Sequence, residues 1–252
     1  MVSDIIRPGN RIELCMAQQI EQEQKTGQGA HIYKSQVTDI FGNDELELAM
    51  PMESGKMVLL PAGIRFELVF YGNSGLYRGL GIIKERYKTD NMYMMRLRLV
   101  SQLHKYQRRQ YYRMPCVIPM HYYEITMQHA LELPKERFQM FVELPEIAMT
   151  RKDASIVDIS GGGVRFVTET ELVTDSYVMI ATGLKNEEFQ KTYLIPAHVL
   201  SSSVSQKNQE RFENRAEFII RDRMVREEII RYIFDEERKI RNKERERSSD
   251  VI

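Results

Sequence analysis

The sequence predicts an all-β chain. Two small antiparallel β-barrels are joined by a short linker, and a C-terminal amphipathic α-helix closes the chain. Three observations carry this prediction. Apolar residues alternate at period two in short runs as far as Ile220. A basic stretch without acidic residues interrupts them midway. From Val225 the apolar period lengthens to that of a helix. The 252 residues, 42% apolar and 29% charged, suffice for one large or two ordinary domains with sizeable cores.

The elements follow in order. Ile12, Leu14 and Met16 alternate, as do Leu46, Leu48 and Met50. Phe66, Leu68 and Phe70 alternate into Gly72-Asn73-Ser74-Gly75, a hairpin turn. The next strand carries Leu76 and Leu80 between Gly79 and Gly81. Met92, Met94, Leu97 and Leu99 form another, with a slip of phase near Met95. Residues 96–113, RLRLVSQLHKYQRRQYYR, hold six Lys/Arg and no acidic residue, and Pro115 is expected to stop the ladder there.

Beyond it, Ile118, Met120 and Tyr122 alternate. Residues 130–153, with two prolines and mixed charge, read as an irregular insertion or a long hairpin. ASIVDIS, GVRFVTE, SYVMIATG, TYLIPAHVLSS and RAEFII are short and β-branched or aromatic, and read as strands. In the last segment Val225, Ile229 and Ile233 repeat every four residues, with Ile230, Phe234 and Ile240 beside them and Asp222 as N-cap. The expected limits are 1–103 for the first barrel, 104–113 for the linker, 114–222 for the second barrel and 223–247 for the helix.

Composition narrows the function. Thirty-six Lys+Arg balance thirty-six Asp+Glu, so no global field draws nucleic acid or membrane. Two cysteines, Cys15 and Cys116, make neither a disulfide framework nor a metal site. The fifteen Met lie mostly in alternating runs and are expected to fill cores. No apolar run approaches the roughly 18–20 residues of a membrane span. No signal peptide is evident, so the cytoplasm is the expected compartment. Neither HExxH nor a GxSxG elbow occurs, and carboxylate pairs such as Glu187-Glu188 and Glu227-Glu228 lie in surface-like charge runs, so no enzyme is expected.

Two features carry chemistry. Arg108-Arg109-Gln110-Tyr111-Tyr112-Arg113 presents three planar donor forks, suited to phosphate or to the O6/N7 edge of guanine, with two tyrosine faces for stacking. Read alone it is also an ordinary solvated linker. Asp158-Ile159-Ser160-Gly161-Gly162-Gly163 is read as a tight turn between strands. Its glycines permit positive φ and close backbone approach, and its ionised Asp158 accepts hydrogen bonds only, matching the N1–H and N2–H₂ of guanine. Ser160 either donates to phosphate or caps the turn. No Gly-Lys-Ser/Thr follows, which excludes a P-loop.

Together the two features resemble the PilZ domain family, whose hallmarks are RxxxR and [DN]xSxxG. They stand here as Arg109…Arg113 and Asp158-x-Ser160-x-x-Gly163, within a resemblance running from about Tyr106 to Ile220. The preceding β-rich segment resembles the N-terminal domain of YcgR-like flagellar brake proteins. The resemblance implies a receptor for cyclic di-GMP, with no other cofactor and no metal. Arg109 and Arg113 would hold phosphate and the guanine Hoogsteen edge. Asp158 and Ser160 would hold the other guanine face, and Gly163 would permit close approach. An arginine at the Arg108 position goes in that family with binding of an intercalated pair of ligands.

The implied mechanism is a switch. The arginine linker, its charges repelling one another, is expected to be mobile until the ligand orders it and changes the arrangement of the two domains. The implied partners are flagellar stator or switch proteins, with recruitment from the cytoplasm to the flagellar basal body. Neither nucleic-acid binding nor membrane insertion is implied. The alternatives are control of exopolysaccharide production and, more distantly, a nucleic-acid-binding β-barrel.

Overall fold

Period-two alternation places one row of side chains inside a sheet and the next outside it, and in this chain two sheets close on themselves. The computed structural model describes residues 2–26, 29–89, 92–185 and 190–249. Its chain divides into two units, Met1–Arg108 and Arg109–Ile252. The expected linker is therefore divided between them, at Arg108/Arg109.

In the first unit, a short helix α1 (Val2–Ile5) precedes β1 (Arg11–Met16) and a second helix α2 (Ala17–Thr26). Strands β2 (Tyr33–Phe41), β3 (Glu45–Ala49), the two-residue pair β4 (Met52–Glu53) and β5 (Lys56–Met57), β6 (Arg65–Gly72), β7 (Gly75–Thr89), β8 (Met92–Leu99) and β9 (His104–Tyr106) follow. The sheet order is β6-β1-β2-β3-β8-β7-β9, and the pairing of β6 with β7 closes a six-stranded barrel. The core holds Ile12, Leu14, Leu46, Leu48, Phe66, Leu68, Phe70, Met95 and Leu97.

The turn between β6 and β7 is the expected hairpin, with Gly72 opposite Gly75 and Gly75 at φ 128°. On β7 the inward positions are the glycines rather than Leu76 and Leu80. A Cβ on Gly79 would lie 2.6 Å from the Leu103 side chain, and one on Gly81 would lie 2.7 Å from Leu68. The slip near Met95 is a register shift between Ile83 and Glu85 of β7, and it leaves Met94 and Met95 both buried. Residues 104–106, at the start of the expected linker, pair with β7 as β9.

The second unit begins its barrel with β10 (Arg113–Ile125). Helices α3 (Met127–Glu132), α4 (Phe138–Glu143) and α5 (Pro145–Ala148) intervene before β11 (Lys152–Ser160), β12 (Gly163–Thr168), β13 (Tyr177–Lys185), β14 (Gln190–Val204), β15 (Phe212–Phe218) and helix α6 (Arg223–Ser249). The barrel closes in the order β10-β11-β12-β15-β14-β13. The insertion expected to be irregular or a hairpin is thus helical. Thr126 caps α3 by accepting the His129 N–H, and Pro134 and Pro145 stand at the starts of a 3₁₀ turn (Lys135–Arg137) and of α5, where a missing N–H costs nothing. Phe138, Phe141 and Val142 share one face and pack on Tyr123 and Met179.

Pro115 does not end a ladder but lies inside β10. Strand β13 joins β10 only from Met120 onward, and a bulge falls between Pro115 and Ile118. One edge at Pro115 therefore lacks a partner strand, and a proline is tolerated.

Helix α6 starts where Asp222 accepts the Met224 N–H at 2.9 Å. Its Val225, Ile229, Tyr232 and Ile233 join the barrel core. Phe234 and Ile240 face solvent, so the buried stripe runs through Tyr232 instead. Ile229→Ala is expected to destabilise the second barrel by about 2–4 kcal/mol, while Phe234→Ala stays within about 0.5 kcal/mol. Urea unfolding of the full chain measures both, and equal effects would reject this account of the helix.

Candidate ligand-binding site

The site is built by the β11–β12 hairpin and the start of β10. Met114, Ile159, Val164 and Ala216 pair across β10, β11, β12 and β15 and are all buried. The rows on either side face outward. One row pairs Arg113 with Ser160, Ser160 with Gly163 and Gly163 with Glu217. The other pairs Pro115 with Asp158, Asp158 with Arg165 and Arg165 with Arg215. Directly opposed residues share a face, as do residues two apart. Arg113, Asp158, Ser160 and Gly163 therefore share one outer face of the barrel.

Each side chain has a definite environment. The Arg113 side chain is exposed and makes no ion pair or hydrogen bond among the described residues. Asp158 is largely covered, and its carboxylate lies 3.5 Å from Arg165 Nε. Arg165 in turn donates to Glu213 at 2.9 Å. Burial, with the Asp158 charge adding to it, pushes the nearby Cys116 thiol up to about 11. Arg165 is a site residue that the sequence reading did not assign. Its outward position follows from the inward Val164 and Phe166 on either side, and its pairing with Asp158 from the short turn between the strands.

Ser160 is buried, donates its hydroxyl to Gly163 O at 3.0 Å and accepts the Gly162 N–H at 3.4 Å. Of the two roles expected for it, this is the cap of the turn. The glycines do not use the left-handed conformation that sequence reading anticipated, since none of Gly161, Gly162 and Gly163 has a positive φ. They are required sterically. A Cβ at Gly163 would stand 2.3 Å from the Ala216 carbonyl oxygen, so the close approach is between two strands.

Cβ atoms at Gly161 and Gly162 would stand 2.8 and 3.0 Å from the ring of Tyr111, which therefore lies against the bend. Tyr111 OH accepts a hydrogen bond from Arg226 of α6 at 2.8 Å. Of the two stacking faces anticipated, Tyr111 is thus engaged in packing, and Tyr112 is 49% exposed. Arg109 is exposed and opens this unit.

Arg108 closes the other unit. It pairs with Glu13 at 2.8 Å and donates to Tyr71 OH at 2.6 Å, and that hydroxyl in turn donates to Glu13. Burial, followed by the Glu13 interaction, raises the Tyr71 phenol above its ordinary value and keeps it a donor. The charge of Arg108 is balanced here, so the expected self-repulsion of the linker is reduced at its first arginine. Among the described residues no cluster of His, Cys, Asp and Glu could hold a metal, and no described helix is long and apolar enough to cross a membrane.

Residues 7–99 match the family model PilZNR, described as flagellar protein YcgR. No curated protein matches the chain in sequence. Among solved structures, the Bacillus subtilis inhibitor of motility MotI/DgrA is 19% identical over 93% of this chain and 99% of its own, with a TM-score of 0.69. YcgR of Escherichia coli, solved in complex with c-di-GMP, is 14% identical over 94% of this chain and 88% of its own, with a TM-score of 0.46. The YcgR-like resemblance is thus borne out in sequence over the first barrel, and the fold is shared with the motility inhibitor.

Gly163→Ala is expected to destabilise the ligand-free chain by about 1–3 kcal/mol, because the methyl group meets a backbone carbonyl that cannot yield. An unchanged melting temperature would show that the glycine is dispensable for packing.

Proposed function

We propose that the chain is a receptor for cyclic di-GMP that acts by binding rather than by catalysis, in the cytoplasm, to regulate flagellar motility. One observation supports the ligand above others. An exposed, unpartnered Arg113 stands in register with Ser160 and two residues from the partner of Asp158, with Arg109 four residues earlier. Guanidinium forks bind phosphate and the Hoogsteen edge of guanine, whereas a carboxylate binds the opposite, donor edge. A ligand that is both doubly anionic and guanine-bearing satisfies both groups. To accept guanine, Asp158 exchanges its contact with Arg165 for the N1–H and N2–H₂ donors, while Arg165 keeps Glu213.

Arg108 is the third arginine of this reading. Its contacts with Glu13 and Tyr71 compete with any bond that it makes to an intercalated ligand pair. A ligand shifts such an equilibrium only through its greater affinity for the released state. The match of residues 7–99 to a flagellar family supports motility as the output, with stator or switch proteins at the flagellar basal body as partners. A swimming assay with and without the gene, beside a polysaccharide assay, separates this output from control of exopolysaccharide.

Isothermal titration tests the ligand. Wild type is expected to bind cyclic di-GMP in preference to cyclic di-AMP and GTP. Arg113→Ala should lose about 3 kcal/mol, or ~100-fold. Asp158→Asn should lose the preference over cyclic di-AMP. Equal binding of both dinucleotides by wild type would reject the reading. Glu13→Gln frees Arg108 and is expected to tighten binding by roughly 3- to 10-fold. An unchanged affinity, with one ligand per protomer, would exclude Arg108 from the site.

A further inference from the structure

Both family patterns leave positions open: three lie between Arg109 and Arg113, and two between Ser160 and Gly163. In this chain the open positions touch one another. Tyr111 is two residues from each of Arg109 and Arg113, and its ring rests on Gly161 and Gly162. A methyl group at Gly161 would meet the ring at 2.8 Å and Ile230 of α6 at the same distance. The floor of this socket is therefore glycine by steric necessity, and α6 forms its wall. Arg226, also on α6, donates Nη1 to the Tyr111 hydroxyl, and its guanidinium carbon stands 5.4 Å from the ring centroid. Its other terminal nitrogen donates to Ile220 O at 3.4 Å, which fixes the donor in place.

We propose that Tyr111 is a positioning residue for the dinucleotide: seated on Gly161-Gly162 and held by Arg226, it holds the segment that carries Arg109 onto the second barrel, where β10 already fixes Arg113, and makes α6 part of the site. The proposal rests on the cyclic di-GMP reading. An arginine segment with no anchor must be ordered by the ligand, at the expense of affinity. With Tyr111 pinned and Arg113 already in β10, only Arg109 and Gln110 lie beyond the fixed part of the segment. Tyr111 itself is spent on the glycine floor and on Arg226, so it acts through the arginines. Because the pin closes on α6, a ligand that pulls on Arg109 or Arg113 also loads the Tyr111–Arg226 contact.

The test compares full-length wild type, Tyr111→Phe, Tyr111→Ala and Arg226→Met by titration with cyclic di-GMP and by amide hydrogen exchange over residues 109–113. Tyr111→Ala is expected to bind about 10- to 30-fold more weakly, because the ordering falls to the ligand. Its ligand-free segment should exchange faster and recover protection at saturation. Tyr111→Phe and Arg226→Met keep the ring in its socket and should lose only about 3-fold. A tyrosine that merely braces α6 would lower the melting temperature while leaving affinity and segment exchange at wild-type values, and that result overturns the proposal. If Tyr111→Ala fails to fold, Tyr111→Phe and Arg226→Met decide: wild-type affinity and exchange in both reject the pin. Exchange without ligand is read separately. Failure of wild type to bind cyclic di-GMP would fault the ligand assignment, and the pin would then stand or fall on exchange alone.

Discussion

The antiparallel register of β10 on β11 is the constraint on which the site depends. With Met114 opposite Ile159, every residue of the adjacent outward rows is fixed. A slip of one residue would turn Arg113 inward and expose Met114. Burying an unpaired guanidinium is far more costly than exposing a methionine, so the core enforces the register. The outward rows of candidate residues are thus held by hydrophobic burial inside. A bulge follows between Pro115 and Ile118, beside the Pro115–Asp158 pair.

A second constraint is steric. The glycines of the bend are not torsional hinges. One lets β12 approach the backbone of β15, and the other two form a floor for an aromatic ring. This changes how the arginine segment is understood. Electrostatic repulsion favours a loose segment, but an ion pair to Glu13 neutralises its first arginine, and ring packing at Tyr111 holds its middle. Arg113 is left as an exposed, uncompensated charge, already set in a strand. A cation that is both fixed and unpaired is what an anionic ligand meets with least reorganisation.

Much of this was legible in the sequence, for physical reasons. Strands with one wet face announce themselves by alternation, which is how β1, β3 and β6 were read. The motif residues were legible because Arg, Asp and Gly each have few substitutes for their chemistry. Elements with weak periodicity were not. Helix α2, AQQIEQEQKT, lacks a strong apolar stripe, and the prolines of 130–153 read as breakers when they start helices. Gly79 and Gly81 hid the inward phase of β7, because the core there is filled by side chains from Leu103, Leu68 and Leu97. Arg165 and the Tyr111 socket are long-range pairings, and a single sequence shows positions without showing which distant ones meet.

The Arg108 contact is only partly buried, which suits the proposed switch. The Arg108 side chain is 41% exposed and that of Glu13 14%. The ion pair and a bond to a ligand phosphate are both charge-assisted, each of the kind that contributes about 1.5–3 kcal/mol. Exchange of one for the other is therefore near balance, and a ligand tips it without requiring the barrel to unfold. Were Glu13 and Arg108 fully buried, breaking them would cost about 3–5 kcal/mol and would consume most of what one further phosphate contact supplies. Tyr71 adjusts the balance, because its hydroxyl donates a hydrogen bond to Glu13 and accepts one from Arg108. When the arginine departs, the phenol still satisfies the carboxylate. The first unit is then left with a hydrogen-bonded anion instead of an orphaned one, and the released state becomes accessible.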